Sequence, residues 1–141
     1  MTNGPKDRGT AWERRVADHA AAAGLPWDRA PLRGSNDLLD IAGSLPDGFL
    51  VGCKAISRKG NLADRLSAAM EQGRQALANL DRLYPGHSGG VIPVQIVQRQ
   101  AYPVGRAYWV MEYDDGLRLV QRLRELRYRL ETADAITEET R

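Results

Sequence analysis

The spacing of apolar residues along the chain changes several times, and each change predicts a new element. Over residues 10–23 the apolar positions recur at helical spacing. They are Ala11, Val16, Ala20 and Ala23. Thr10 is predicted to be the N-cap of this helix, with Glu13 three residues later as its capping-box partner. Gly24 follows directly and is expected to end the helix in a left-handed conformation.

Two strands and a long helix are predicted next. Residues 25–37 contain two prolines and a glycine, which indicates a short strand or an extended run entering a loop. The apolar runs LLDIAG (38–43) and GFLVGCKAI (48–56) flank a Pro-Asp-Gly turn, so they predict a β-hairpin. From residue 62 to residue 83 apolar positions recur every three or four residues, which predicts a helix of about six turns. Pro85-Gly86 is expected to stop it.

The last part of the chain predicts two more strands and a helix. The strands are GGVIPVQIVQ (89–98) and RAYWVMEY (106–113), and an amphipathic helix is expected over residues 117–130. The resulting order is helix, three strands, helix, two strands, helix. It is typical of an α/β fold with a mixed central sheet flanked by helices. We expect one domain over residues 1–141, with flexible tails at 1–8 and 132–141.

Composition narrows the class of protein but not its partner. The net charge is +2, from 20 basic and 18 acidic residues, and arginines outnumber lysines seventeen to three. Arginine suits phosphate, but such an excess is also what a GC-rich coding sequence produces, so charge alone does not predict a nucleic-acid partner. No apolar run approaches a bilayer span, the N-terminus has no signal-peptide pattern, and the single cysteine cannot form an internal disulfide. We therefore expect a cytoplasmic protein with no membrane contact.

Acids and a lysine are predicted to meet at one end of the hairpin. Antiparallel pairing of its strands brings Asp40 beside residues 52–54. Side-chain alternation then puts residues 52 and 54 on one face of the sheet and Cys53 on the other. A carboxylate beside Lys54 is the outline of a divalent-metal site assisted by a cation, in which the metal activates water and the lysine stabilises negative charge.

These motifs, taken together, resemble the PD-(D/E)XK nuclease superfamily. The motifs are Gly9-Thr10-x-x-Glu13 on the first helix, Arg33-Gly34-Ser35-x-Asp37-x-x-Asp40-Ile41 before the hairpin, and Val51-Gly52-Cys53-Lys54 at its end. The chain is most similar to the Holliday-junction-resolvase branch and to short phage-encoded nucleases. The resemblance covers residues 6–80 well and the last strands loosely. It implies a restriction-endonuclease-like fold and a homodimer that cleaves branched or recombination DNA with Mg²⁺ or Mn²⁺.

The resemblance also implies a role for individual residues. Metal binding falls on Glu13, Asp40, residue 52 and the main-chain carbonyl of Cys53, and Lys54 assists catalysis. Family members often add a polar residue from the following helix, for which the candidates here are Glu71, Gln72 and Gln75. The side chains expected to contact DNA are Arg29, Arg33, Ser35, Arg58 and Lys59; they could equally form a solvated basic rim.

Position 52 departs from the family pattern, because Gly52 stands where an Asp or Glu is expected. Three explanations are open: a degenerate nuclease that binds DNA without cutting it, an engineered inactive variant, or an active enzyme whose missing acid is supplied by Asp37. Asp37 could equally serve the chemistry of the preceding turn, and Glu13 could be only a capping residue. A catalytically dead DNA-binding module and a protein-interaction domain therefore remain alternatives.

The other reactive or aromatic side chains are given structural roles. Cys53 is expected to be a small buried residue rather than a nucleophile. The two histidines, His19 and His87, are expected to be exposed, and no zinc signature is present. The aromatic residues Trp12, Trp27, Tyr108 and Trp109 are expected to lie in the core or an interface rather than to stack on bases.

Overall fold

A mixed five-stranded sheet is the centre of the fold in the computed structural model, which describes residues 5–31, 37–55, 61–99 and 101–141. The strands are β1 (Asp28–Arg29), β2 (Ile41–Ala42), β3 (Phe49–Lys54), β4 (Ile92–Val97) and β5 (Tyr108–Val110), in that order across the sheet. β3 and β4 are parallel and the other neighbours are antiparallel. The predicted α/β class, the mixed sheet and the β2–β3 hairpin are thus confirmed.

The helices are α1 (Pro5–Ala22), α2 (Leu62–Leu83) and α3 (Tyr113–Glu139). α2 has the predicted bounds, and the Asn61 side chain caps it by accepting the N–H of Ala63 at 2.9 Å. α1 begins at Pro5, so the prediction of Thr10 as N-cap was wrong. A proline fits the first helical turn, where its missing N–H would have no partner.

The buried face of α1 also differs from the prediction. It consists of Trp12, Val16 and Ala17, whereas Ala11 and Ala23 are exposed. A tryptophan removes far more apolar surface from water than an alanine, so the helix turns to bury Trp12. The indole Nε1 donates to the carbonyl of Ile96 in β4 at 3.1 Å. Gly24 does end the helix as predicted, with φ of 90°.

α1 and α2 cover opposite faces of the sheet. Successive β4 residues show this, because Gln95 donates its side-chain amide to the carbonyl of Ala69 in α2 at 3.0 Å, while Ile96 lines a hollow with Val16 of α1. In the parallel pair Lys54 lies beside Val97, so β3 and β4 end at the same edge of the sheet. Side chains from both helices can reach this edge.

The chain divides into two compact units, Met1–Met111 and Glu112–Arg141. The second contains α3, which is longer than the predicted helix at both ends and includes residues 132–139 of the predicted tail. Two features extend it: Asp114 and Asp115 suit a helix N-terminus, and Arg127 pairs with Glu131 one turn later at 3.0 Å. Among the helices of the described ranges, none is both long and apolar enough to cross a membrane.

Candidate active site

An open, polar hollow of about 310 Å³ lies where α1, β3 and α2 approach one another. Its walls include most of the residues to which the sequence assigns a metal-binding or catalytic role. They are Glu13, Asp37, Asp40, Cys53, Lys54, Gln72 and Gln75, joined by Leu39, Ala76 and Asn79. Three carboxylates and a lysine from three separate chain segments therefore face one space.

Asp40 is the most constrained acid of the hollow. Its Oδ2 accepts the main-chain N–H of Cys53 at 2.7 Å, so Asp40 lies beside residues 52–54 as the hairpin predicts. Burial raises the pKa of Asp40 from 3.8 to about 6; the N–H of Cys53 opposes this rise, whereas the nearby carboxylates of Glu13 and Asp37 add to it. Asp40 is thus a half-buried acid for which burial and the neighbouring carboxylates outweigh the attraction of Lys54.

The residue before Asp40 adopts a strained backbone conformation. Leu39 has φ of 71°, in the left-handed region that a leucine rarely occupies, and its side chain is buried with Leu50 and Leu80. Such conformations cost about 1–3 kcal/mol and cluster at functional sites. Burial of Leu39 in the core holds the chain in this conformation and so fixes the direction in which Asp40 leaves the backbone.

Glu13 is held by Arg29 rather than by a capping box. Its Oε2 accepts from Nε of Arg29 at 3.1 Å and from the terminal nitrogen at 3.0 Å, and both side chains are largely buried. The two residues lie 16 positions apart, on α1 and β1. The guanidinium that was expected to contact DNA is therefore occupied inside the protein, where it orients the Glu13 carboxylate.

Lys54 projects toward α2. Its Nζ donates to Oε1 of Gln72 at 2.5 Å, so an amide from the following helix positions the ammonium, and Gln75 lies in the same hollow. Glu71 instead pairs with Arg74 at 2.9 Å on the exposed side of α2 and does not line the hollow. Of the three candidates on this helix, the structure brings two to the site.

Gly52 has no room for a side chain unless the side chain of Gln95 moves. A Cβ built at this position would lie 2.4 Å from Oε1 and 2.5 Å from Nε2 of Gln95. Gln95 is 1% exposed, and its Oε1 is the one buried side-chain polar atom of the described residues that lacks a hydrogen-bond partner. The expected acid is therefore replaced by a close contact between the β3 backbone and an amide from β4.

Asn79 of α2 is a site residue that the sequence did not reveal. It is buried, and its Nδ2 donates to the carbonyl of Asp37 at 3.0 Å, while its Oδ1 accepts from Gln75 at 3.3 Å. It thereby ties the segment that presents Asp37 to α2. The signal that could have found it is a lone asparagine among the apolar positions of α2. Gln95 gives the same kind of signal, as a lone polar residue within the strand sequence IPVQIV.

Four predicted DNA-contacting residues lie outside the described residues: Arg33, Ser35, Arg58 and Lys59. Cys53 is buried as expected, and burial together with the Asp40 carboxylate raises the pKa of its thiol, which makes it a poor nucleophile. Of the four aromatic residues expected in the core or an interface, Trp12 and Trp27 are buried, whereas Tyr108, which is 52% exposed, and Trp109, which is 45% exposed, lie outside the core.

The donors of the hollow suit a hard divalent cation in their chemistry. Carboxylates of Asp40, Glu13 and Asp37 and the main-chain carbonyl of Cys53 are oxygen ligands of the type that Mg²⁺ and Mn²⁺ prefer. A cation among them would also offset the repulsion from Glu13 and Asp37, which adds to the effect of burial in raising the pKa of Asp40. As the side chains stand, the described residues contain no group of three His, Cys, Asp or Glu placed to hold a metal ion.

Comparison with known proteins gives no match: no protein-family model, no curated protein and no solved structure is significantly similar to the chain.

Proposed function

We propose that the chain is a metal-dependent endodeoxyribonuclease that acts on branched or recombination DNA, in the manner that its resemblance to the PD-(D/E)XK nucleases implies. The observation that supports this function best is the convergence of Glu13, Asp37, Asp40 and Lys54 on one open hollow. Carboxylates that lie close together at one edge of a sheet destabilise the folded protein, because each repels the negative charge of the others. Phosphodiester hydrolysis is a function that uses such an arrangement.

The metal of this proposal is Mg²⁺ or Mn²⁺, held by Asp40 and Glu13 with help from Asp37 and the Cys53 carbonyl. A cation bound there supplies an activated water and neutralises phosphate charge. Arg29 fixes the Glu13 carboxylate through two hydrogen bonds, and Cys53 fixes Asp40 through its N–H. Both acids are thereby held in place before any ligand arrives.

Lys54 is assigned to the phosphate. Gln72 orients its ammonium, which lines the same hollow as the three acids, so a phosphodiester in the hollow would lie between negative and positive groups. The ammonium would oppose the charge that grows on the phosphate oxygens as the bond to the leaving group breaks. Asp40 and Glu13 would bind the metal, and Lys54 would stabilise the transition state.

Cleavage of a four-way DNA junction in Mg²⁺ or Mn²⁺ tests this function. We expect Asp40→Ala and Lys54→Ala each to slow cleavage by roughly 100- to 1000-fold, the usual cost of removing one group that stabilises transition-state charge. The matched control is Asp18→Ala, an exposed acid of α1 outside the hollow. A chain that cleaves and keeps its rate without Asp40 would disprove the site assignment.

A second candidate function is a DNA-binding module that does not cut. The specific observation in its favour is that Gln95 fills the space beside Gly52, so β3 supplies no acid from that position. Binding of the junction without cleavage in either metal would favour this function. Binding should then weaken as salt rises, because phosphate contacts release counterions; affinity independent of salt would favour a protein-interaction domain instead.

A second copy of the chain is the proposed protein partner, through α3. Leucines at positions 119, 123, 126 and 130 recur at spacings of four, three and four, and the last three are more than half exposed. Residues 117–130 contain five arginines and one glutamate, whereas residues 131–139 contain four acids and no basic residue. Antiparallel pairing in which the leucines of one helix meet Ala133 and Ile136 of the other would place each basic half against an acidic half.

This pairing predicts that Leu126→Asp converts the protein from a dimer to a monomer, since it puts a charge in the apolar seam. Light scattering should show the mass fall from about twice the 15.6 kDa chain to a single chain. Gln121→Asp, which introduces the same side chain on the exposed polar side of α3, should leave the dimer intact. A monomeric parent chain, or equal dissociation of both variants, would rule out this interface.

A further inference from the structure

Two arginines and two tyrosines form an exposed cluster in the connection between β4 and β5. The guanidinium of Arg99 lies 3.8 Å from the ring centroid of Tyr102 and 4.8 Å from that of Tyr108. Its Nη1 also donates to the carbonyl of Arg106 at 3.4 Å, and the Arg106 guanidinium lies 6.0 Å from the ring centroid of Tyr102. Tyr102 is 47% exposed and Tyr108 52%. The rings are therefore held in place by arginine while part of each remains open to solvent.

The cluster lies at the same edge of the sheet as the candidate active site. Lys54 of β3 is the register partner of Val97 in β4, and Val97 is the partner of Tyr108 in β5. Two steps between neighbouring strands separate Lys54 from Tyr108, a backbone distance of about 10 Å. An apolar hollow of about 180 Å³ that includes Lys54, Val97 and Leu66 lies along this path. That distance spans about three nucleotides of a stacked DNA strand, and fewer of an extended one.

The charge of the cluster is available to a ligand. Among the described residues, no carboxylate forms an ion pair with Arg99 or Arg106. Arginine and tyrosine together are the side chains on which unpaired nucleobases stack, because rings and guanidinium planes both offer flat faces, and arginine also attracts the phosphate. Bases inside a continuous duplex already stack on one another and present no open face.

We propose that this cluster, defined by Arg99, Tyr102, Arg106 and Tyr108, stacks an unpaired base within about three nucleotides of the phosphate held at Lys54. The inference rests on the proposed nuclease or DNA-binding function and specifies its substrate class: DNA with an unpaired nucleotide beside the bound phosphate, such as a flap or an open junction. Stacking on the cluster strengthens the binding of a strand that leaves the duplex at this point. Continuous duplex DNA makes only the phosphate contacts.

The test compares two DNA probes in EDTA, so that binding is measured without cleavage. One is a continuous duplex, and the other is the same duplex with a single-stranded flap at its centre. Fluorescence anisotropy gives both affinities, and 2-aminopurine in the flap reports stacking by its quenching. Tyr102→Ala, at an exposed loop position, is expected to weaken flap binding by roughly 5- to 100-fold and to remove the quenching, with duplex affinity unchanged.

Three further variants separate stacking from a structural role. Tyr102→Phe keeps the ring and should bind both probes like the parent, whereas Arg99→Gln should weaken flap binding in the same direction as Tyr102→Ala. Tyr128→Ala, an exposed tyrosine of α3, is the matched control and should change neither affinity. Equal losses on both probes, or unchanged flap binding in Tyr102→Ala, would overturn the stacking inference alone. A parent chain that binds neither probe would overturn the proposed DNA function and this inference with it.

Discussion

At pH 8 and without divalent cations, the Asp40→Asn variant is expected to be more stable than the parent chain by about 3 kcal/mol, a rise in melting temperature of roughly 10 °C. Burial raises the pKa of Asp40 from 3.8 to about 6 in the folded chain, so folding favours the protonated carboxyl. Above about pH 6 the carboxylate is charged in both states, and the full cost of burying its charge is present. Asparagine keeps an oxygen for the N–H of Cys53 but removes the charge.

The pH dependence follows from the same pKa. Below pH 3.8 the carboxyl is protonated in both states, so the difference between parent and variant should vanish near pH 4 and grow as the pH rises from about 4 to 6. Thermal unfolding in EDTA at several pH values measures this difference. Asp18→Asn, an exposed acid on α1, serves as the control and should show little change. A gain as large at pH 4 as at pH 8 would contradict the assigned cause.

Gly52→Ala is expected to lower the free energy of unfolding by about 1–3 kcal/mol, although most glycine replacements within a strand are favourable. The added methyl would meet the end of the Gln95 side chain at 2.4 to 2.7 Å. That side chain can move only by giving up its hydrogen bond to Ala69 inside the core. In a Gln95→Ala background the cost should largely disappear, because the space beside residue 52 is then open.

Urea unfolding of the two single variants and the double variant forms a thermodynamic cycle that isolates this contact. Gly9→Ala is the matched control: its Cβ meets nothing within 4 Å, and a glycine-to-alanine change inside α1 should stabilise by about 0.5–1 kcal/mol. Additive effects at positions 52 and 95 would show that Gln95 does not exclude a side chain. By the same reasoning, Gly52→Glu is a fair test of restored cleavage only together with Gln95→Ala.

Much of the fold could be predicted because its signals are local. The bounds of α2 follow from a repeat of apolar residues and a Pro-Gly stop, and the β2–β3 hairpin follows from a Pro-Asp-Gly turn between two apolar runs. The predicted start of α1 was wrong, because Thr10 and Glu13 have a spacing that fits a capping box and also fits the interior of a helix. α3 was predicted too short because its polar end is stabilised by ion pairs such as that of Arg127 with Glu131, which periodicity does not register.

The sequence by itself determined the class of fold and the acids and lysine of the candidate site. Strand pairing then places Asp40 beside residues 52–54, and side-chain alternation puts Lys54 on the face of the sheet opposite to Cys53, because both rules act within a few residues. Only the tertiary structure decided which distant groups complete the site: Arg29 for Glu13, Gln72 for Lys54, and Gln95 in the space beside Gly52. These partners depend on sheet register and on how each helix packs, which no local pattern specifies.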